Sequence, residues 1–118
     1  MIKSGKDLTV FKRAYALSLA LHQESLVFPK IEQFSLASQL RRSSKLICAN
    51  LVEGFAKQNQ SKVEFKRFIT IAIGSAQETD LWIQYAFDLK YINVMQFEYW
   101  TKENSAVISM LITLRSKL

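Results

Sequence analysis

Four side chains in this sequence have the types that reaction chemistry uses: His22, Cys48, Glu53 and Glu78. A histidine can act as a general base near neutral pH, a cysteine as a nucleophile, and two carboxylates as an acid/base pair. His22 and Cys48 are each the only residue of their kind, and neither stands in the local context that a nucleophile and its base require. Di-metal helical bundles take Glu-x-x-His from facing helices, but this histidine sits in ALHQE with no Glu three residues before it. No G-x-x-x-x-G-K-[ST], G-x-G-x-x-G or Cys/His cluster occurs, so phosphate-cradling and metal-binding motifs are missing. His22 therefore reads as a packing residue, and Glu53 and Glu78 as carboxylates with no electrophile or cofactor beside them. The expectation is a protein that is not an enzyme and carries no cofactor or metal.

The elements that hold these residues follow from composition and spacing. A chain of 118 residues that is 49% hydrophobic has material for one domain with its own core. Three glycines and one proline are too few for a many-turned sheet protein. The single cysteine excludes a disulfide framework and suits a reducing compartment. No apolar run approaches the ~18 residues that span a bilayer, and the start MIKSGKDL lacks an apolar signal core. A cytoplasmic protein without membrane contact is expected.

Helical periodicity predicts four helices, over about 7–25, 36–56, 62–90 and 94–116. Asp7, Ser35, Ser61 and Asn93 stand at the starts as caps, Ser61 with Glu64 as an S-x-x-E box. Pro29 ends the first helix. The first helix presents Leu8, Phe11, Tyr15, Leu19 and Leu26 as its apolar stripe, widened by Val10, Ala14, Leu17 and Leu21. In the second, Leu36, Leu40, Ser43, Ile47, Leu51 and Gly54 fall in one narrow arc, with small residues at 43 and 54 that admit a close neighbour. Beside that arc runs a polar flank of Gln39, Arg42, Asn50 and Glu53. Folding back of the third helix places Glu78 level with Arg42, which predicts an Arg42–Glu78 pair.

The third helix carries two apolar faces. One is Phe65, Phe68, Ile69, Ala72, Ala76, Ile83, Ala86 and Phe87; the other, nearly opposite, is Ile71, Leu81, Trp82, Tyr85 and Leu89. A four-helix bundle offers no fully central helix, so the second face is expected to be covered by another subunit.

Short links make sequential helices antiparallel neighbours, and an up-down-up-down bundle is the simplest topology. It gathers Lys3, Lys6, Lys12, Arg13, Lys57, Lys62, Lys66, Arg67, Arg115 and Lys117 at one end against Asp7, Glu53 and Glu64. That end holds +7, the remainder −1, and the whole chain +6. Lys62 opposes the dipole at the start of its helix at a cost of roughly 0.3 kcal/mol or more, so local helix stability does not account for it. Phosphate binding does, and it predicts RNA or DNA binding with steep salt dependence and little sequence preference. The expected contacts are Lys12, Arg13, Lys57, Lys62, Lys66, Arg67, Arg115 and Lys117. A protein-interaction adaptor, in which the charge serves only solubility, stands as the alternative.

The stretches FP-x-x-E-x-F, then S-L-A-S-Q-L-R-R-S-S-K-L-I-C-A-N-L-V-E-G-F, then EF-x-x-F-x-x-I-A-x-G-S-A-x-E resemble the 23S rRNA intervening-sequence proteins, also called the four helix bundle protein family. The matching positions include Phe28, Pro29, Glu32, Phe34, Gln39, Arg41, Arg42, Asn50, Glu53, Gly54, Gly74 and Glu78. The resemblance implies a short bundle assembling into a ring, usually a pentamer, without known catalytic activity.

Overall fold

The computed structural model describes residues 1–118. Helices span α1 Thr9–Ser25, α2 Leu36–Lys57, α3 Lys62–Asp88 and α4 Val94–Ser116. They form an all-helical bundle 45 × 24 × 22 Å in extent. Each helix packs on its neighbours in sequence, and α1 closes the bundle against α4, while α1 and α3 lie across the diagonal with no Cα atoms within 8 Å of each other.

The ends show how local chemistry starts and stops these helices. Asn93 and Gln96 form a reciprocal box, each side-chain oxygen accepting from the other's backbone N–H at 2.8 Å. At Ser61 only half of the expected box forms: its hydroxyl accepts from Glu64 N, while the Glu64 carboxylate turns to Arg67. Asp7 does not cap α1. It lies in a 3-10 turn over Gly5–Asp7 and accepts backwards from the N–H groups of Lys3 and Ser4, and Leu8 stands at the α1 cap position without a side-chain bond. Ser35 likewise makes no side-chain cap for α2. The α3 end closes with Tyr91 N donating to Ala86 O and Lys90 N to Phe87 O, with Lys90 in the left-handed region at φ 68°. That bond pattern usually selects glycine at the left-handed position.

The core divides in two. Ile47, Leu51, Phe65, Ile69, Val107 and Leu111 lie among one buried cluster, and Leu21, Phe28, Leu40, Ile83 and Trp100 among the other. The cores meet at buried polar residues. There Thr79 Oγ1 donates to Ser43 Oγ at 2.8 Å, and Asn104 Nδ2 donates to Ala76 O at 2.8 Å. Such a layer penalises sliding of one helix along another, because a shift would strand buried polar atoms against apolar ones.

The expected arc of α2 is fully buried, Gly54 included. A Cβ on Gly54 would stand 2.6 Å from Phe68 Cβ, so the absence of a side chain there lets α3 approach. The α1 stripe is narrower than its spacing suggested. Val10, Phe11, Ala14, Leu17 and Leu21 point inward, but Tyr15, Leu19 and Leu26 are each about half exposed. Seventeen residues of helix on one corner of a bundle bury only the arc that faces α2 and α4.

Candidate nucleic-acid interface and its neighbouring faces

Antiparallel packing brings the start of α1, the end of α2, the start of α3 and the end of α4 together. Gly5 abuts Val52, Gly54 abuts Phe68, Arg115 Nη1 donates to Thr70 Oγ1 at 3.2 Å, and Lys117 lines a cleft with Ile2, Leu8 and Thr9. The cations there differ in what holds them. Arg13 is committed to Glu103 by two hydrogen bonds, Nε to Oε1 at 3.1 Å and Nη2 to Oε2 at 2.9 Å. Arg67 bonds Glu64 at 2.7 Å and lies 4.9 Å from the centre of the Phe68 ring. Lys57 lies 5.8 Å from the same ring centre. These are the only two ion pairs in the chain. Lys12, Lys57, Lys62, Lys66, Arg115 and Lys117 therefore have no carboxylate partner.

The polar flank of α2 does not pair along α3. Arg42 is exposed and bonds nothing, and Glu78 Oε1 instead accepts from Trp82 Nε1 at 3.2 Å, so the expected Arg42–Glu78 pair does not form. The indole competes from within the same helix, one turn away, at no cost in chain ordering. Asn50 turns back to Leu46 O within α2 at 2.7 Å. Gln39 sits in a recess with Trp82, Tyr85 and Leu89. Glu53 is exposed and lines the α1/α2 groove.

Nor do the four chemistry-bearing residues converge. Glu53 is next to Gly54 at the level of Phe68, and Glu78 is next to Thr79, opposite Ser43, so about 15 Å of helix rise separates them. Cys48 is buried, and burial pushes its thiol up to about 11, which keeps it protonated at neutral pH. His22 takes a hydrogen bond from Lys45 at 2.9 Å through Nδ1. Burial, then the charges of Lys45 and Arg41, hold its pKa below the usual histidine value. No group of three His, Cys, Asp or Glu side chains is placed to hold a metal ion.

The second face of α3 lies open. Ile71, Leu81, Tyr85 and Leu89 are between 41% and 50% exposed, and Trp82 is half-buried against Tyr85, their ring centres 5.8 Å apart. Gly74 lies among them with nothing within 4 Å of where a Cβ would stand.

Arg41 organises the α1–α2 link. Its Nη1 donates to Ser25 Oγ and Gln33 Oε1, and its Nη2 to Gln33 O. Gln33 Nε2 donates to Ser25 O and Phe28 O, and Tyr91 OH to Glu32 Oε2. The link so held leaves Phe34 98% exposed. The paired arginines Arg41-Arg42 and the FP-x-x-E-Q-F run were visible in the sequence, but nothing in their spacing tied one to the other.

No helix is long and apolar enough to cross a membrane. No curated protein matches the chain. A crystal structure of a protein of unknown function from the S23 ribosomal protein family, from Bacteroides thetaiotaomicron VPI-5482, superposes with a TM-score of 0.81. The two share 24% sequence identity over 94% of this chain and 98% of that one, a likeness of fold. The sequence profile described as 23S rRNA-intervening sequence protein matches residues 6–113. The chain belongs to that family.

Proposed function

We propose that this protein is a non-catalytic, self-assembling helical bundle that binds RNA or DNA through the basic end of the bundle with little sequence preference. The observation that carries the reading is the set of cations there without carboxylate partners. Six of the expected contacts, from all four helices, are unpaired in this way at the end where Lys62 already works against its own helix dipole. Cations left unpaired on one surface give a field that attracts a polyanion and releases its counterions. Self-assembly rests on the open second face of α3, whose apolar side chains carry little value in water. Changing Lys62, Lys66 and Arg67 to Glu tests the binding reading. The reversed protein is expected to lose binding to an unrelated RNA at low salt that the native protein shows. Equal binding by both, or binding by neither, contradicts it.

A second reading, an adaptor that holds a protein partner, is favoured by one observation. Phe34 is almost fully exposed on a link made rigid by Arg41 and Gln33, and a preordered aromatic is what an interface anchor needs. Under that reading Phe34→Ala abolishes partner capture while RNA binding is absent in the native protein.

A further inference from the structure

We propose that the cleft between the start of α1 and the end of α4 holds one unpaired base of a single-stranded RNA, whose phosphates lie on the cations around it. The inference rests on the nucleic-acid reading above and adds which kind of strand is bound and where its base goes.

The cleft encloses about 480 Å³, within the range of about 300–1,000 Å³ typical of small-ligand sites. Its floor is Leu8, Val10, Met110 and Leu114, all buried or half-buried, and its rim carries the exposed Thr9, Ser109, Thr113 and Lys117. Met110, Thr113, Leu114 and Lys117 recur at helical spacing and so share one face of α4. The α1 side comes from the first turn, and the N-terminal arm completes the cleft. Asp7 Oδ2 accepts from the N–H groups of Lys3 and Ser4 at 2.8 and 3.1 Å, which folds the arm back and sets Ile2 against the opening. This gives a use for an aspartate that leaves α1 without a side-chain cap.

Three properties of the lining select the occupant. The floor takes an apolar surface. The rim hydroxyls, each both donor and acceptor, take polar edges. The charge around them is positive: Lys117 lines the cleft and Lys12 stands one turn beyond Thr9, neither with a carboxylate partner. An occupant must therefore be apolar on its face, polar at its edge and anionic just outside. A nucleotide in a single strand meets all three conditions, whereas a duplex keeps its base faces stacked out of reach. The ribose 2′-hydroxyl, itself donor and acceptor, is matched by the same rim hydroxyls, so the strand is RNA. No aromatic side chain lines the cleft, and the base lies between aliphatic side chains of α1 and α4 rather than on a stacking platform.

Charge and cleft make opposite demands on the ligand, which allows them to be separated. Phosphates are denser along a duplex, so charge alone favours the duplex; the cleft favours the single strand. The variant Ser109→Leu/Thr113→Leu fills the rim with apolar side chains at two exposed positions without changing charge. The probe is an RNA oligomer with one 2-aminopurine among adenines, a base whose fluorescence rises when it leaves the stack. The native protein is expected to brighten it and to bind this single strand about tenfold more tightly than a duplex of the same sequence. The variant, with its helical circular dichroism retained, is expected to lose both the brightening and the preference while duplex binding is unchanged. A second, charge-matched measurement compares Thr113→Glu, in the cleft, with Ser116→Glu, outside it at the same end of α4. Only the first is expected to abolish the brightening, and equal effects at the two positions contradict the site. A native protein that prefers the duplex and brightens nothing overturns the cleft site while leaving binding by charge standing, and no binding of either RNA overturns both. A DNA oligomer of the same sequence held as tightly as the RNA overturns the ribose contact. Phosphatidylserine vesicles that displace the RNA from the native protein, and fail to bind the leucine variant, assign the cleft to a lipid surface and overturn the base site.

Discussion

Arg13 grips Glu103 across the contact between α1 and α4, with two hydrogen bonds of 3.1 and 2.9 Å. The pairing withdraws one arginine from the basic end and leaves its lysine neighbours to carry the proposed binding. Arg13→Ala is therefore expected to reduce RNA affinity less than Lys62→Ala under the same salt, and an equal or larger loss would place Arg13 back among the contacts. The same pair has a pH signature. Arg13 holds the Glu103 carboxyl below the usual glutamate range, first through the hydrogen bond and also through its charge. A carboxyl depressed by folding contributes stability that is present above its unfolded value near 4.3 and lost as pH falls through the lower folded value. The difference in urea midpoint between the native protein and Arg13→Ala should shrink as pH is lowered below about 4. A difference that grows in acid would contradict the pairing.

Gly54 fixes how closely α2 and α3 approach. Gly54→Ala places a methyl group 2.6 Å from Phe68 Cβ and 3.1 Å from the Phe65 ring, a site with no flexible side-chain end to yield. Denaturant unfolding is expected to show a loss of about 1–3 kcal/mol despite the better helix propensity of alanine. A gain in stability would mean that the helices part without cost.

Arg41 ties the end of α1 to the start of α2 through Ser25 and Gln33. Arg41→Ala leaves the Ser25 hydroxyl and the Gln33 amide oxygen without their charged donor, and a loss of about 2 kcal/mol in unfolding free energy is expected. Arg42→Ala, one residue on, should stay within about 0.5 kcal/mol in the isolated bundle, since that side chain bonds nothing. Equal effects at the two positions would refute the assignment.

Lys90 adopts a left-handed backbone conformation, φ 68°, just beyond α3. A side chain there costs roughly 1 kcal/mol that glycine avoids. Lys90→Gly should raise the unfolding free energy by about 0.5–1 kcal/mol, and no gain would show that the lysine side chain contributes a compensating contact.

Much of the bundle was legible because it depends on period and punctuation. The buried arc of α2 and the inner face of α3 repeat at helical spacing, and Pro29, Ser61 and Asn93 mark boundaries by their own backbone chemistry. What escaped is what depends on competition in space. Arg42 and Glu78 are near in level, but the Trp82 indole reaches Glu78 from one turn away. Tyr15 and Leu19 continue the α1 stripe in sequence and yet face outward, because the arc a helix can bury is set by its neighbours. The basic end was visible once the topology was assumed. The unequal commitment of its arginines was not, since Glu103 lies ninety residues from Arg13.

The most direct test of the central claim is the salt dependence of binding to a single-stranded RNA of arbitrary sequence. With about 0.7 counterion released per phosphate contact on a single strand, the six expected contacts that lack a carboxylate partner predict a slope of log K against log salt of about −4. The variant Lys62→Glu/Lys66→Glu should bind more weakly and with a slope shallower by roughly 1 or more. No binding at low salt, or a slope that the two reversals leave unchanged, would contradict a nucleic-acid role for the basic end.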